Sequence, residues 1–96
     1  FAAFDAGDAA IGIGSVRNGP EARESLDAGA QFLVSPIVHR DVISLASEAD
    51  VACFPGALTP TEMAQAWDLG ADIVKVFPAR TMGPDYIRDC LAPLPY

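Results

Sequence analysis

Lys75 is the only lysine in the chain, and it lies in the middle of a short apolar run, "ADIVKVFPA", at residues 71–79. Alternate side chains of a strand share a face, so Lys75 points the same way as Ile73 and Phe77, while the two valines point the other way. Burial lowers the pKa of an ammonium group, and the neutral amine can form a Schiff base with a carbonyl compound. The alternative is a lysine whose stem packs along the strand while its charged end reaches solvent.

Two glycine-containing stretches follow other apolar runs. "GIGSVRNG" puts Gly12, Gly14 and Ser15 at the end of the first run, where the missing side chains let a ligand approach the backbone closely. The stretch is not a dinucleotide-binding fingerprint, because Arg17 stands where the third glycine is required. "PG" at 55–56 is interpreted as a turn or as the wall of a pocket. Turn formation alone also explains both stretches.

Positive charge is concentrated at the predicted strand ends. Four of the six cationic side chains lie there: Arg17, Arg40, Lys75 and Arg80. Ligands of parallel α/β folds bind at the carboxyl ends of the strands, so this placement favours a small anionic molecule. Exposed turns carry charges in most proteins, which explains the placement equally well. Trp67 and Tyr86 are predicted to pack on the inner faces of helices.

Strand and helix signals alternate along the chain. Four short apolar runs fit strands better than helices, and they cover 11–16, 32–34, 51–54 and 73–77. Helix signals lie between and after these runs. "PEARESLDAG" has proline near its start and glycine at its end. "TPTE" at 59–62 combines a capping threonine, a first-turn proline and a capping-box glutamate. "DVISLASE" and "GPDYIRDCLA" are the other two helix candidates.

This alternation predicts an α/β fold of parallel strands joined by crossover helices. Parallel strands are buried on both faces, in agreement with the continuous apolar runs. A complete (β/α)8 barrel, also called a TIM barrel, takes about 200 to 250 residues, whereas the chain has 96. We therefore expect residues 1–96 to form a single partial domain of parallel βα units, about half of such a barrel. A small open sheet is the alternative.

Composition argues against several classes of partner. The net charge of −7 and pI of about 4.3 argue against nucleic-acid binding and leave no basic patch for an anionic membrane. No apolar run approaches the roughly 18 residues of a membrane span, and we expect no signal peptide. Cys53 and Cys90 predict free thiols, which agrees with a reducing cytoplasm. One histidine without a cysteine pair at metal spacing argues against a zinc site.

Four stretches occur in register across about residues 11–79: "IGIGSV", "AGAQFLVSP", "FPGALTPTE" and "LGADIVKVFPA". Together they resemble the 2-keto-3-deoxy-6-phosphogluconate (KDPG) aldolase family, which includes the 6-phosphogalactonate and 4-hydroxy-2-oxoglutarate (KHG) aldolases. The tail "GPDYI" at 83–87 leans toward the galactonate branch. The resemblance implies a (β/α)8 barrel, usually trimeric, of which this chain represents strands three to six with their helices.

The resemblance also implies a chemistry that uses no metal and no other cofactor. Family members cleave a 2-keto acid to pyruvate and an aldehyde. Lys75 matches the lysine of the family's K-x-F-P motif, which forms the Schiff base. Ser15 stands where the family usually has a threonine that helps to hold the substrate, and it keeps the hydroxyl group. By the same resemblance, Pro55 lines the pocket and Phe77 packs beside the lysine.

By the same resemblance, the remaining parts of the site lie outside the chain. The general acid/base, a glutamate, and a carboxylate-binding arginine are expected upstream of Phe1, and the phosphate-binding loops downstream of Tyr96. We expect the parent protein to be a cytoplasmic, homo-oligomeric class I aldolase, a carbon–carbon lyase. Its expected substrate is a small anionic 2-keto-3-deoxy-6-phospho sugar acid, cleaved to pyruvate and glyceraldehyde 3-phosphate, with little activity from these residues alone. The alternatives are a non-catalytic half-barrel for binding or assembly, and another phosphate-binding barrel enzyme.

Overall fold

The computed structural model describes residues 9–95. Four helices of nine residues each alternate with short strands within this range. The elements are α1 (Gly19–Asp27), β1 (Phe32–Val34), α2 (Arg40–Glu48), β2 (Ala52–Phe54), β3 (Gly56–Ala57), α3 (Pro60–Asp68), β4 (Lys75–Val76) and α4 (Gly83–Leu91). All four predicted helices are therefore confirmed. None of the helices described is long and apolar enough to cross a membrane.

Local capping explains where α3 begins and ends. The Thr59 hydroxyl accepts the Glu62 amide at 3.3 Å, as the predicted capping box requires. The Glu62 carboxylate accepts the amide of Leu58 at 2.8 Å, one residue earlier than in the standard box. Gly70 has φ +104°, the left-handed conformation that was expected after the end of this helix.

The strands that pair lie parallel to each other. β1 pairs with β2, with Phe32 opposite Ala52, and β3 pairs with β4, with Gly56 opposite Lys75. The predicted first strand, at 11–16, has a single regular bridge to β1. Backbone bonds nevertheless run between this segment and β1 along its length, including 3.1 Å from the Ile13 amide to the Phe32 carbonyl. The prediction of parallel strands joined by crossover helices is confirmed.

The interpretation of residues 55–56 as a turn is wrong, because Gly56 begins β3. Pro55 lies between β2 and β3 and has no amide hydrogen to donate to a neighbouring strand. The regular pattern of inter-strand hydrogen bonds is therefore interrupted at this residue. Its carbonyl still accepts the Lys75 amide at 2.8 Å, while the carbonyl of Phe54 accepts the amide of Ser35 at 3.1 Å. The chain therefore continues through the proline as a strand, and it pairs with β1 before the proline and with β4 after it.

The apolar core lies between the strands and the helices. One cluster includes Leu33 and Cys53 from the strands and Ile43 from α2, all at most 2% exposed. A second cluster lies below α3 and α4, where Met63 and Cys90 are buried. The alternate strand positions face away from these clusters. The rings of Phe32 and Phe54 stack there with centroids 5.7 Å apart.

Trp67 does not pack as predicted, because 40% of it is exposed. It lies at a groove between α3 and α4 together with Ile73 and Leu91, rather than in the cluster beneath the helices. Tyr86 does pack against that cluster, and its hydroxyl donates to the Leu58 carbonyl at 2.8 Å. The helical pattern of apolar residues cannot distinguish these two environments, because both lie on the same side of a helix.

Candidate active site

Two backbone hydrogen bonds hold Lys75 in β4. Its amide donates to the Pro55 carbonyl at 2.8 Å, and the Phe77 amide donates to the Ala57 carbonyl at 3.0 Å. Val76, between them, packs against the cluster of Met63 and Cys90 beneath the helices. Because side chains alternate along a strand, the lysine side chain leaves the opposite face. The predicted separation of valines and lysine is thus confirmed.

Lys75 is less buried than the sequence led us to expect, since it is half-buried. Phe77, on the same face, is 45% exposed. Ile73 does not share this face as predicted, because it lies in a bend before β4 and lines the groove between α3 and α4 with Trp67 and Val76. The lysine Nζ lies 4.5 Å from the centroid of the Phe77 ring, within the range of a cation–π interaction. No carboxylate of residues 9–95 forms an ion pair with it.

Gly56 leaves the space beside Lys75 clear for the end of β1. A Cβ atom at Gly56 would lie 2.6 Å from the Pro36 carbonyl oxygen and 2.9 Å from that of Ser35. Both neighbours are backbone atoms, so only glycine fits here without movement. No sequence pattern predicts this contact between Gly56 and the chain after β1. The signal was the "PG" pair itself, which local rules interpret as a turn.

Three of the four predicted site residues lie together. The Pro55 side chain is fully buried, and its carbonyl holds the Lys75 backbone next to Phe77. Ser15 is exposed, with φ +58°, in the segment that flanks β1 on its other side. Two strands separate this segment from β4, which amounts to roughly 14 Å along a flat sheet. Ser15 lines a cavity with residues of α1, including Glu21 and Ser25, so the structure does not bring it together with Lys75.

One of the cations predicted at the strand ends is not free to bind an anionic ligand. Arg17 forms an ion pair with Glu21 at 2.9 Å, and this carboxylate raises the pKa of the guanidinium group. Arg40 and Arg80 are exposed. Arg17 is thus already partnered by an acid, whereas no ion pair involves Arg80, which follows β4, within the described chain.

Both cysteines are free, as predicted, and both are buried. Burial, and to a smaller extent the Asp72 carboxylate, raise the pKa of Cys53 to about 11. A thiol with this pKa stays protonated at neutral pH and is a poor nucleophile. Within residues 9–95, no three His, Cys, Asp or Glu side chains are grouped as metal ligands. Lys75 is therefore the strongest nucleophile candidate of the site.

The family model of KDPG and KHG aldolases matches residues 2–95. The chain belongs to the KDPG and KHG aldolase family. A 2-dehydro-3-deoxy-6-phosphogalactonate aldolase of Escherichia coli (strain K12) is 37% identical over 87 residues, which cover 91% of this chain and 42% of that protein. A 2-dehydro-3-deoxy-phosphogluconate aldolase of Treponema pallidum (strain Nichols) is 34% identical, over 88% of this chain and 40% of that protein.

Solved structures of the family show the same arrangement of elements. A structure described as native KDPGal superposes with a TM-score of 0.85 at 36% identity, covering 91% of this chain and 42% of that one. The KDPG aldolase of Zymomonas mobilis ZM4 with 3-phosphoglycerate gives 0.81 at 28% identity, with the same two coverages. The chain therefore spans about two fifths of the length of the family members it matches.

Proposed function

We propose that the chain carries the Schiff-base part of the active site of a class I aldolase. The observation that supports this most directly is Lys75, the chain's only lysine. It lies opposite Gly56 on the strand face turned away from the helices. Membership of the family supports an aldolase reaction. The substrate we propose is a 2-keto-3-deoxy-6-phospho sugar acid, cleaved to pyruvate and glyceraldehyde 3-phosphate.

In the proposed reaction, the neutral Lys75 amine attacks the C2 carbonyl of the substrate. Loss of water from the carbinolamine leaves an iminium ion, which withdraws electrons from the C3–C4 bond. A base outside this chain removes the C4 hydroxyl proton, the bond breaks, and the electron pair forms an enamine. Protonation at C3 and hydrolysis then release pyruvate and restore the amine. Phe77, whose ring lies 4.5 Å from Nζ, stabilises the positive nitrogen of the iminium ion.

We further propose that residues 1–96 are a partial domain, corresponding to strands three to six of a (β/α)8 barrel. The parallel strands, their order along the chain and the coverage of about two fifths of the relatives support this assignment. In this arrangement Pro55 contributes to the site through the carbonyl that holds Lys75, and we propose Ser15 as a substrate-binding residue of the barrel. We expect little turnover from the 96 residues alone, because the proton-transferring and phosphate-binding groups are expected elsewhere. A cytoplasmic trimer is the assembly that the family resemblance favours.

Trapping with borohydride tests the role of Lys75. A folded sample is incubated with pyruvate and reduced, and the peptides are analysed by mass spectrometry. We expect one reduced adduct, on the peptide that contains Lys75, and none in the Lys75→Met variant. The matched control is Arg80→Met, which removes an exposed cation close to the same strand and should leave the adduct in place. A folded wild-type protein that gives no adduct would exclude a competent Schiff-base site and favour a binding or assembly role.

A further inference from the structure

A side chain joins the segment that leads into β4 to the neighbouring strand β2. The Cys53 amide of β2 donates to the Asp72 carboxylate at 3.2 Å. Gly56 and Lys75 are register partners, and counting back three positions along both strands brings Cys53 opposite Asp72. The regular strand, however, begins only at Lys75. The carboxylate of Asp72 therefore acts where a ladder carbonyl would act if the strand were longer.

The Cys53 amide needs such an acceptor. Cys53 is 2% exposed, and a buried backbone amide without a partner destabilises a fold. This bond and two of the ladder bonds of β4 fasten the chain from 72 to 77 to the neighbouring strand at three points. The acceptors of these bonds are the Asp72 carboxylate and the carbonyls of Pro55 and Ala57. Lys75 lies between the first and the last of these points.

We propose that Asp72 is a positioning residue for Lys75, because it fixes the path of the backbone that enters β4. This proposal rests on the proposed function of the lysine. The Cα atoms of Asp72 and Lys75 are three residues apart, which is at most about 10 Å. The Debye length at physiological ionic strength is about 8 Å, and no ion pair joins Asp72 to Lys75 within the described chain. The oxygen that accepts the Cys53 amide is the feature that matters.

Two substitutions separate the oxygen from the charge. Asp72→Asn keeps an acceptor oxygen at the same place and removes the charge. Asp72→Glu keeps the charge and moves the oxygen away by one methylene group. Asp72→Ala removes both. Asp68→Ala, at the end of α3, is the matched control, because it removes an exposed carboxylate that has no hydrogen bond to β2.

The assay is borohydride trapping of pyruvate by the natural full-length chain, as a function of pyruvate concentration. We expect Asp72→Ala and Asp72→Glu to lower the rate at saturating pyruvate about 10-fold or more, since small displacements of reacting groups have effects of this size. The half-saturating pyruvate concentration should stay within about 3-fold. Asp72→Asn and Asp68→Ala should trap pyruvate at close to the wild-type rate. If Asp72→Ala does not fold, Asp72→Glu and Asp72→Asn decide the question.

Two results of the trapping assay would overturn the proposal. One is a wild-type rate in Asp72→Ala or Asp72→Glu, and the other is a loss in Asp72→Asn as large as in Asp72→Ala. Hydrogen exchange of the Cys53 amide provides a readout that does not depend on the aldolase reaction. Faster exchange of the Cys53 amide in Asp72→Ala, with wild-type protection in Asp72→Asn, supports the role of Asp72 as its acceptor. This conclusion holds even if the wild type traps no pyruvate. Unchanged protection in Asp72→Ala contradicts it. An absent adduct in the wild type then counts only against the function proposed for Lys75.

Discussion

Gly56→Ala tests how tightly the end of β1 approaches the strand beside Lys75. The new Cβ atom would lie 2.6 Å from the Pro36 carbonyl oxygen and 2.7 Å from its carbon. An ordinary contact begins near 3.4 Å, so the two backbones have to separate by about 0.8 Å (3.4 minus 2.6). No flexible side chain can absorb this movement, because the neighbours are backbone atoms.

We expect Gly56→Ala to lower the free energy of unfolding by about 1–3 kcal/mol, the usual effect of overpacking a tight site. In urea, with a slope of roughly 1.5 kcal/mol per molar, the midpoint falls by about 0.7–2 M. Trapping of pyruvate on Lys75 should also slow, because Gly56 is the register partner of the lysine. Circular dichroism at increasing urea concentration measures the stability, and mass spectrometry measures the adduct.

Gly14→Ala is the matched control for this prediction. A Cβ atom at Gly14 would meet nothing within 4 Å. Its φ lies outside the left-handed range, so alanine is tolerated and can stabilise the chain by up to about 1 kcal/mol through the unfolded state. If Gly56→Ala were as stable as Gly14→Ala, β1 could not approach β3 as closely as the structure indicates, and the steric reasoning would be refuted.

Two further predictions concern α3 and the buried thiol. Thr59→Ala removes the capping hydroxyl and should lower the free energy of unfolding by about 1 kcal/mol, whereas Thr61→Ala, at an exposed position of the same helix, should change it by less than about 0.5 kcal/mol. Equal urea midpoints for the two variants would contradict the role of the cap. The pKa of Cys53 is about 11 in the folded chain, above the roughly 8.5 of a free thiol. As the pH rises, the unfolded chain therefore loses this proton first. The free energy of unfolding should fall between about pH 9 and 11 by roughly 2–3 kcal/mol. Cys53→Ala should lack this part of the decline. If the unfolding free energies of Cys53→Ala and the wild type fall in parallel with pH, the role of Cys53 in the decline is refuted.

Local sequence signals determined the helices and the general order of the elements. Thr59 and Gly70 define the two ends of α3 through contacts within a few residues, so no knowledge of the rest of the fold is needed. The alternation of valines and lysine around Lys75 likewise separates the two faces of β4. The contact between Lys75 and Phe77 could be predicted for the same reason, because residues two apart in a strand share a face.

Only the tertiary structure decided the features that depend on register. Asp72 and the Cys53 amide are 19 residues apart in sequence, and no local pattern specifies that they meet. The same holds for Gly56, whose missing side chain accommodates the backbone of Pro36, which follows β1. Local rules interpret proline and glycine as a turn, whereas pairing on both sides of Pro55 keeps the chain extended. The sequence thus identified the nucleophile candidate, while the strand pairing determined which residues hold it, because local propensity acts over a few residues and register acts between strands.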